Sequence, residues 1–199
     1  MALLACASCK KDKDRHPLCG DNDQIEMKIV EYGTHVPIEG AEVYLIVTDD
    51  MGNNPSIVED FETDHSGVVS WPCDMHVESI CAQKPESYYG SCGQGYSLGM
   101  TWVADGVYEL FPHAWVKVTA IDEEPTNPEL IVLALPPTTG GSNLVAIYNE
   151  ENYLFEAYGN FNDELYYKVV DPITDSILFS TTLNIYSCAF DTTEYVISY

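Results

Sequence analysis

Apolar residues in this chain gather in short runs rich in Val, Ile, Tyr and Thr, and turn signals punctuate them. That rhythm constrains the fold more than any other feature. The runs fall at 25–32, 41–48, 67–71, 76–83, 115–121, 130–135, 143–148, 153–158, 165–170, 176–186 and 194–199. Among them stand Asp49-Asp50-Met51-Gly52-Asn53-Asn54-Pro55, Asp64-His65-Ser66-Gly67, Gly140-Gly141-Ser142 and Asp171-Pro172. Such residues favour tight turns through positive φ, fixed proline φ or local side-chain hydrogen bonds. Helical spacing is weak throughout. Only 143–157 is ambiguous, because Leu144, Tyr148 and Phe155 could line a helix face; its Tyr, Val and Ile content points to a hairpin. Many short strands separated in this way predict an all-β sandwich or barrel.

Composition narrows the function classes. The chain has 199 residues, 46% of them hydrophobic, which is enough to fill a core and argues against disorder. Its 32 acidic residues outweigh 8 Lys and Arg, for a formal charge of −24. Beyond residue 16 the cations are Lys28, Lys84, Lys117 and Lys168 alone, which excludes nucleic-acid binding through phosphates. The acidic surface favours basic or cation-bridged partners. No apolar run is long enough for a membrane-spanning helix.

The amino terminus reads Met1-Ala2-Leu3-Leu4-Ala5-Cys6-Ala7-Ser8-Cys9, then Lys10-Lys11-Asp12-Lys13-Asp14-Arg15. A short apolar stretch with small residues before a cysteine resembles the end of a bacterial lipoprotein signal peptide. The Ser-Cys-Lys-Lys-Asp string is similar to lipoproteins of the Bacteroidota. That resemblance implies cleavage before the cysteine, a diacylglycerol on its thiol, and a soluble domain tethered in the bacterial cell envelope, on the periplasmic or surface face of the outer membrane. Cys9 is the preferred anchor, with Cys6 as the alternative. The stretch lacks a basic n-region and is short for a secretory signal. Residues 1–24 are therefore expected to be signal remnant and charged tether.

A second resemblance lies further on. Pro37-Ile38-Glu39-Gly40-Ala41-Glu42-Val43-Tyr44-Leu45 is followed by Thr63-Asp64-His65-Ser66-Gly67-Val68-Val69-Ser70-Trp71. This is similar to carboxypeptidase regulatory-like, or transthyretin-like, Ig-like β-sandwich domains. There, a P-x-x-G-A-x-V-x-L strand precedes a T-D-x-x-G turn into the next strand. Ala41, Val43 and Leu45 would alternate inward, and Gly67 would supply the turn. The resemblance implies an antiparallel sandwich serving adhesion, structure or binding, and it brings no catalytic residues. Residues 25–136 carry the motif, with a long loop insertion at 72–112. The strands of 143–199 either complete the same unit or form a small second lobe; one extended β unit over 25–199 is preferred.

Seven cysteines fit an exported chain with disulfides. With Cys9 lipidated and Cys6 removed, five remain and one is unpaired; with Cys6 as anchor, six remain. Cys73, Cys81 and Cys92 crowd a loop-rich stretch and are expected to supply at least one local bridge, although connectivity does not follow from sequence. A zinc site from Cys73, His76, Cys81 and Cys92 matches no familiar ligand spacing.

Other sites are weaker. Gly95-Tyr96-Ser97-Leu98-Gly99 has the form of a nucleophile elbow, but no helix pattern follows it, and His113 stands too close for the usual order. His16, His35, His65, His76 and His113 show no metal spacing. Asp49-Asp50 with Asn53-Asn54, or Asp122-Glu123-Glu124, could hold a structural Ca²⁺, without the regular D-x-D-x-D-G pattern. Tyr88, Tyr89, Tyr96 and Trp102 could form aromatic platforms for a glycan, or could pack at the rim of a sandwich. The expectation is a non-enzymatic, lipid-anchored envelope protein acting as a binding or scaffolding subunit of a surface complex. It has no catalytic residues, cofactor or metal, and envelope proteins as partners. A glycan-binding surface lipoprotein is the alternative.

Overall fold

A computed structural model describes residues 19, 23–47, 56–75, 77, 79–90, 106–124, 130–135 and 144–199. Every element within them is a strand, in agreement with the all-β sandwich expected from the sequence. In chain order these are β1 (Gln24–Glu31), β2 (Glu42–Val47), β3 (Ser56–Glu62), β4 (Val68–Pro72), β5 (Ser79–Gln83), β6 (Tyr88–Tyr89) and β7 (Val107–Ile121). There follow β8 (Ile131–Ala134), β9 (Val145–Ile147), β10 (Asn152–Tyr158), β11 (Phe161–Asp171), β12 (Ser176–Ser187) and β13 (Thr192–Ser198).

The strands enclose two hydrophobic clusters. In the first lobe, β4-β1-β7 packs on β3-β2-β5, burying Ile25, Met27, Ile29, Val43, Leu45, Trp71, Ile80, Tyr108 and Leu110. In the second, β10-β7-β13 packs on β12-β11-β8-β9 around Val116, Val118, Val132, Phe155, Leu165, Val169, Ile185 and Ile197. Pairing is mostly antiparallel, but β7 runs parallel to β1 and to β13.

The fifteen-residue β7 belongs to both lobes. Its even-numbered residues are buried from Tyr108 to Ala120, which is the period of two that a half-buried strand requires. At about 3.3 Å per residue it runs some 50 Å. The sequence predicts strand only from 115, and the half that precedes it contains Pro112. The hydrogen bonds show why proline is tolerated there. The Leu110 carbonyl accepts from the Tyr32 amide at 3.0 Å, and the Pro112 carbonyl accepts from the Gly159 amide at 2.7 Å. The amide that Pro112 lacks therefore faces the gap between the end of β1 and the end of β10, where no ladder bond is lost. The two cores meet within β7, so its second half and β8 pack with the strands beyond 144.

The motif residues build the first lobe as their chemistry suggests. Ala41, Val43 and Leu45 are fully buried. The buried Thr63 hydroxyl donates to the Ile38 carbonyl at 2.6 Å and accepts from the Ala41 amide at 2.8 Å. One Asp64 carboxylate oxygen accepts from the Ser66 hydroxyl and from the amides of Ser66 and Val68. These bonds, the Ser66 hydroxyl foremost, hold the Asp64 carboxyl below its ordinary range. The expected hairpin across 143–157 is corrected: β9 pairs with β8, whereas β10 crosses to pair with β7. Glu150 at φ 61° turns the chain between the two sheets.

Candidate interaction surface

Tyr88 and Tyr89 lie where the lobes meet, in the short β6 beside Pro112 and Phe111. The Tyr88 hydroxyl donates to Glu31 Oε2 at 3.0 Å, and its ring meets Phe190 edge-on with centroids 5.3 Å apart. Tyr89 packs on His113 at 4.3 Å and on Tyr158 at 4.9 Å. Tyr32, Phe111 and Phe161 continue the cluster, with Tyr32 stacked on Phe111 at 4.2 Å. Desolvation pushes both phenols up to about 12, aided at Tyr88 by the hydrogen bond to Glu31 and at Tyr89 by the charge of Glu156. Both rings are thus engaged in packing between lobes.

Glu31 is the buried carboxylate of this junction. It accepts from the Thr34 hydroxyl at 2.8 Å and the Asn160 amide group at 3.1 Å on Oε1, besides Tyr88 on Oε2. Asn160 also donates to the Tyr32 carbonyl at 3.1 Å. No sequence signal singled out this pair, since the two residues are 129 positions apart.

The other residues singled out by sequence do not come together. Cys73 pairs with Cys19 across a separation of 54 residues. Cys81 is also disulfide-bonded, to a partner outside the described residues. The local bridge expected from Cys73, Cys81 and Cys92 depends on Cys92, which lies outside them too. So do Cys6, Cys9, Tyr96, Trp102, His76, Ser97 and the Asp49–Asn54 turn. Cys188 is a free, exposed thiol. Asp122 uses Oδ1 to accept the Glu124 amide at 3.1 Å. Among the described residues no three His, Cys, Asp or Glu side chains form a group that could hold a metal ion.

An exposed apolar surface lies elsewhere, on the β11–β12 hairpin. β12 pairs with β11 on one side, and on the other it faces no strand among the described residues. Near Ser187 that open edge is closed by side chains: the Tyr186 amide donates to the Tyr195 hydroxyl at 2.6 Å, and this hydroxyl donates to the Tyr186 carbonyl at 3.1 Å. Backbone groups of alternate residues point to the same edge of a strand, so Ser180, Thr182 and Asn184 turn theirs outward in line with Tyr186. Toward the hairpin turn, Ile177 and Leu178 are each 55% exposed and Phe179 is 41% exposed. A surface cavity of about 610 Å³, lined by Phe161, Asn162, Asp163, Glu164, Asn184 and Ile185, opens along the same hairpin.

This edge carries few of the usual protections. Natural sheets blunt their edges with lysine, proline, inward charge, bulges or short strands. The twelve residues of β12 contain no charged residue and no proline; its one irregularity is the extra residue Leu178, between the pairs Val169–Phe179 and Val170–Ile177. The signal was legible in Ser176-Ile177-Leu178-Phe179-Ser180-Thr181-Thr182-Leu183, but a strand reading alone does not say which strand is an edge.

No family model and no curated protein is similar to this chain. Among solved structures, it is similar to the TIE protein of Bacillus anthracis at 12% identity and a TM-score of 0.32, covering 88% of this chain and 34% of that one. It is also similar to a fimbrial protein from Bacteroides ovatus at 12% identity and a TM-score of 0.25, covering 88% of this chain and 48% of that one. The chain therefore spans less than half the length of either. Independently of them, the Cys19–Cys73 bridge marks a chain that folds outside a reducing cytosol.

Proposed function

We propose that this chain is a non-enzymatic, lipid-anchored cell-envelope protein that acts as a docking subunit of a surface complex, built on transthyretin-like, Ig-like sandwich units. One observation carries the reading: β12 is an open, uncharged edge flanked by exposed Ile177, Leu178 and Phe179. A monomer with no partner would expose an aggregation hazard there. The anchor is supported by the Ser8-Cys9-Lys10-Lys11-Asp12 string, and the oxidising compartment by the disulfide. The glycan reading draws on Tyr96 and Trp102 and gains nothing from Tyr88 and Tyr89, whose rings pack at the lobe junction.

The test is affinity purification of the tagged, full-length protein from native membranes in mild detergent, read by mass spectrometry. A stable set of envelope proteins, depleted when Leu178→Lys places a charge on the edge, is the expected result. Recovery of the chain alone overturns the reading. Intact mass reports the anchor separately: a diacylglyceryl adduct abolished by Cys9→Ala is expected, and an adduct that persists moves the assignment to Cys6.

A further inference from the structure

We infer that the open edge of β12 accepts an extended segment of a different protein, whose side chains alternate between apolar and basic residues. The inference rests on the docking reading and names the chemistry of what docks.

Three observations lead to it. Ser180, Thr182 and Asn184 turn amides and carbonyls to a side where no described strand receives them, the arrangement that strand addition uses for affinity. Leu178 is the extra residue opposite the irregularity at Val169/Val170, while Phe179 shares the inner face with Tyr167, their ring centroids 6.2 Å apart. Exposed apolar side chains therefore flank the edge, so an incoming strand would gain pockets as well as ladder bonds. Charge then selects the occupant. The hairpin carries Asp163, Glu164, Asp171 and Asp175 against the single cation Lys168, within a chain of net charge −24.

A second copy would set another hairpin with the same four carboxylates and one lysine against this edge, within a chain that again carries a net charge of −24. Such a copy offers little cationic charge to complement those carboxylates, so charge does not favour self-pairing. A strand bearing Lys or Arg at alternate positions meets the same carboxylates favourably.

The probe is a fluorescent peptide of about ten residues, alternating Lys and Val, titrated against the full-length protein by anisotropy. We compare it with an alternating Glu and Val peptide, and with the Lys and Val peptide N-methylated on alternate backbone nitrogens. The expected result is binding of the first that weakens at least about tenfold between roughly 0.05 and 0.5 M salt, with at least about tenfold weaker binding of the other two. Thr182→Pro should cost a similar factor without lowering the melting temperature, since the Thr182 amide faces the open edge and proline there removes no internal ladder bond.

Equal binding of the N-methylated peptide overturns the inference, because attraction would then be electrostatic alone; this readout needs no variant to fold. Absence of any binding by the Lys and Val peptide also overturns it. So does a dimer in sedimentation velocity that Thr182→Pro abolishes, which would make the occupant a second copy. Envelope partners that co-purify undiminished with Thr182→Pro would sink strand addition while leaving the docking reading intact.

Discussion

The side-chain amide of Asn160 donates to Glu31 Oε1 at 3.1 Å, joining the end of β1 to the turn between β10 and β11 across the boundary of the two lobes. Glu31 is 8% exposed and accepts three hydrogen bonds, from Thr34, Tyr88 and Asn160. A buried carboxylate is tolerated only when its oxygens are satisfied in this way. Asn160 also holds φ at 56°, a left-handed conformation that asparagine tolerates better than most residues. One side chain thus sets both the turn and the clamp.

Asn160→Gly should therefore be destabilising although it relieves the backbone, because it leaves Glu31 short of a donor. The expected loss is about 1–3 kcal/mol, a fall of roughly 2–4 °C in melting temperature per kcal/mol for a domain of this size. Asn160→Ala should lose more, by the cost of placing a β-carbon at positive φ. Asn160→Asp should be worst at neutral pH and recover on acidification, since protonation removes the repulsion from Glu31. Thermal melts of the three variants at neutral and mildly acidic pH check the order; a Gly variant as stable as the parent would remove Asn160 from the clamp.

Tyr88 and Tyr89 make stability sensitive to alkali. Both phenols are raised to about 12 in the folded chain, against an ordinary value near 10, first by desolvation. Between those values the unfolded chain releases phenolic protons that the folded chain retains, so stability falls as pH rises. The contribution is fully present below about pH 10 and is lost on passing through about 12. Phenolate absorbance should show late-titrating tyrosines, one of them lost in Tyr88→Phe and another in Tyr89→Phe, and each variant should flatten the alkaline decline in melting temperature.

Gly67 sits at φ 74°, and a β-carbon there would lie 2.6 Å from the Ile29 carbonyl oxygen and 3.0 Å from Pro37. Neither neighbour is a flexible side-chain end that could move aside. Gly67→Ala should cost about 2 kcal/mol or more, the sum of backbone strain and displacement of β1. Urea titration measures it, and a loss below half that amount would show that the Asp64 turn can shift as a unit.

Much of this architecture was legible in the residues. Alternation marked most strands within one or two positions, and the Thr63-Asp64 turn and inward Ala41, Val43 and Leu45 followed from local chemistry. β3 escaped because its acidic residues Glu59, Asp60 and Glu62 obscure the pattern. The first half of β7 escaped because Pro112 reads as a breaker until the handover from β1 to β10 is known. The clamp at Glu31 and the open edge of β12 are properties of topology. Local pattern names a strand, but only pairing shows which strand has an empty side.

The Cys19–Cys73 bridge ties the residues just before β1 to the residue that follows β4. Gln24 already pairs with Pro72 there, and the Cys73 amide donates to the Asp23 carbonyl at 3.0 Å. The Cα atoms are 5.8 Å apart, within the ordinary range for a disulfide. Closing a loop of this length restricts the unfolded chain by about 4 kcal/mol on the chain-entropy estimate. Replacing both cysteines, as Cys19→Ser with Cys73→Ser, should remove much of that stability while sparing the Cys81 bridge that a reductant would break. The effect should be uneven: amide exchange should quicken in β1 and β4, whose ends the bridge joins, and change less in β11 and β12, which pack in the other core. Uniform quickening in both lobes would mean that β7 couples them into one cooperative unit, and protection unchanged in β1 would show that the antiparallel ladder holds this end of the sheet without the covalent tie.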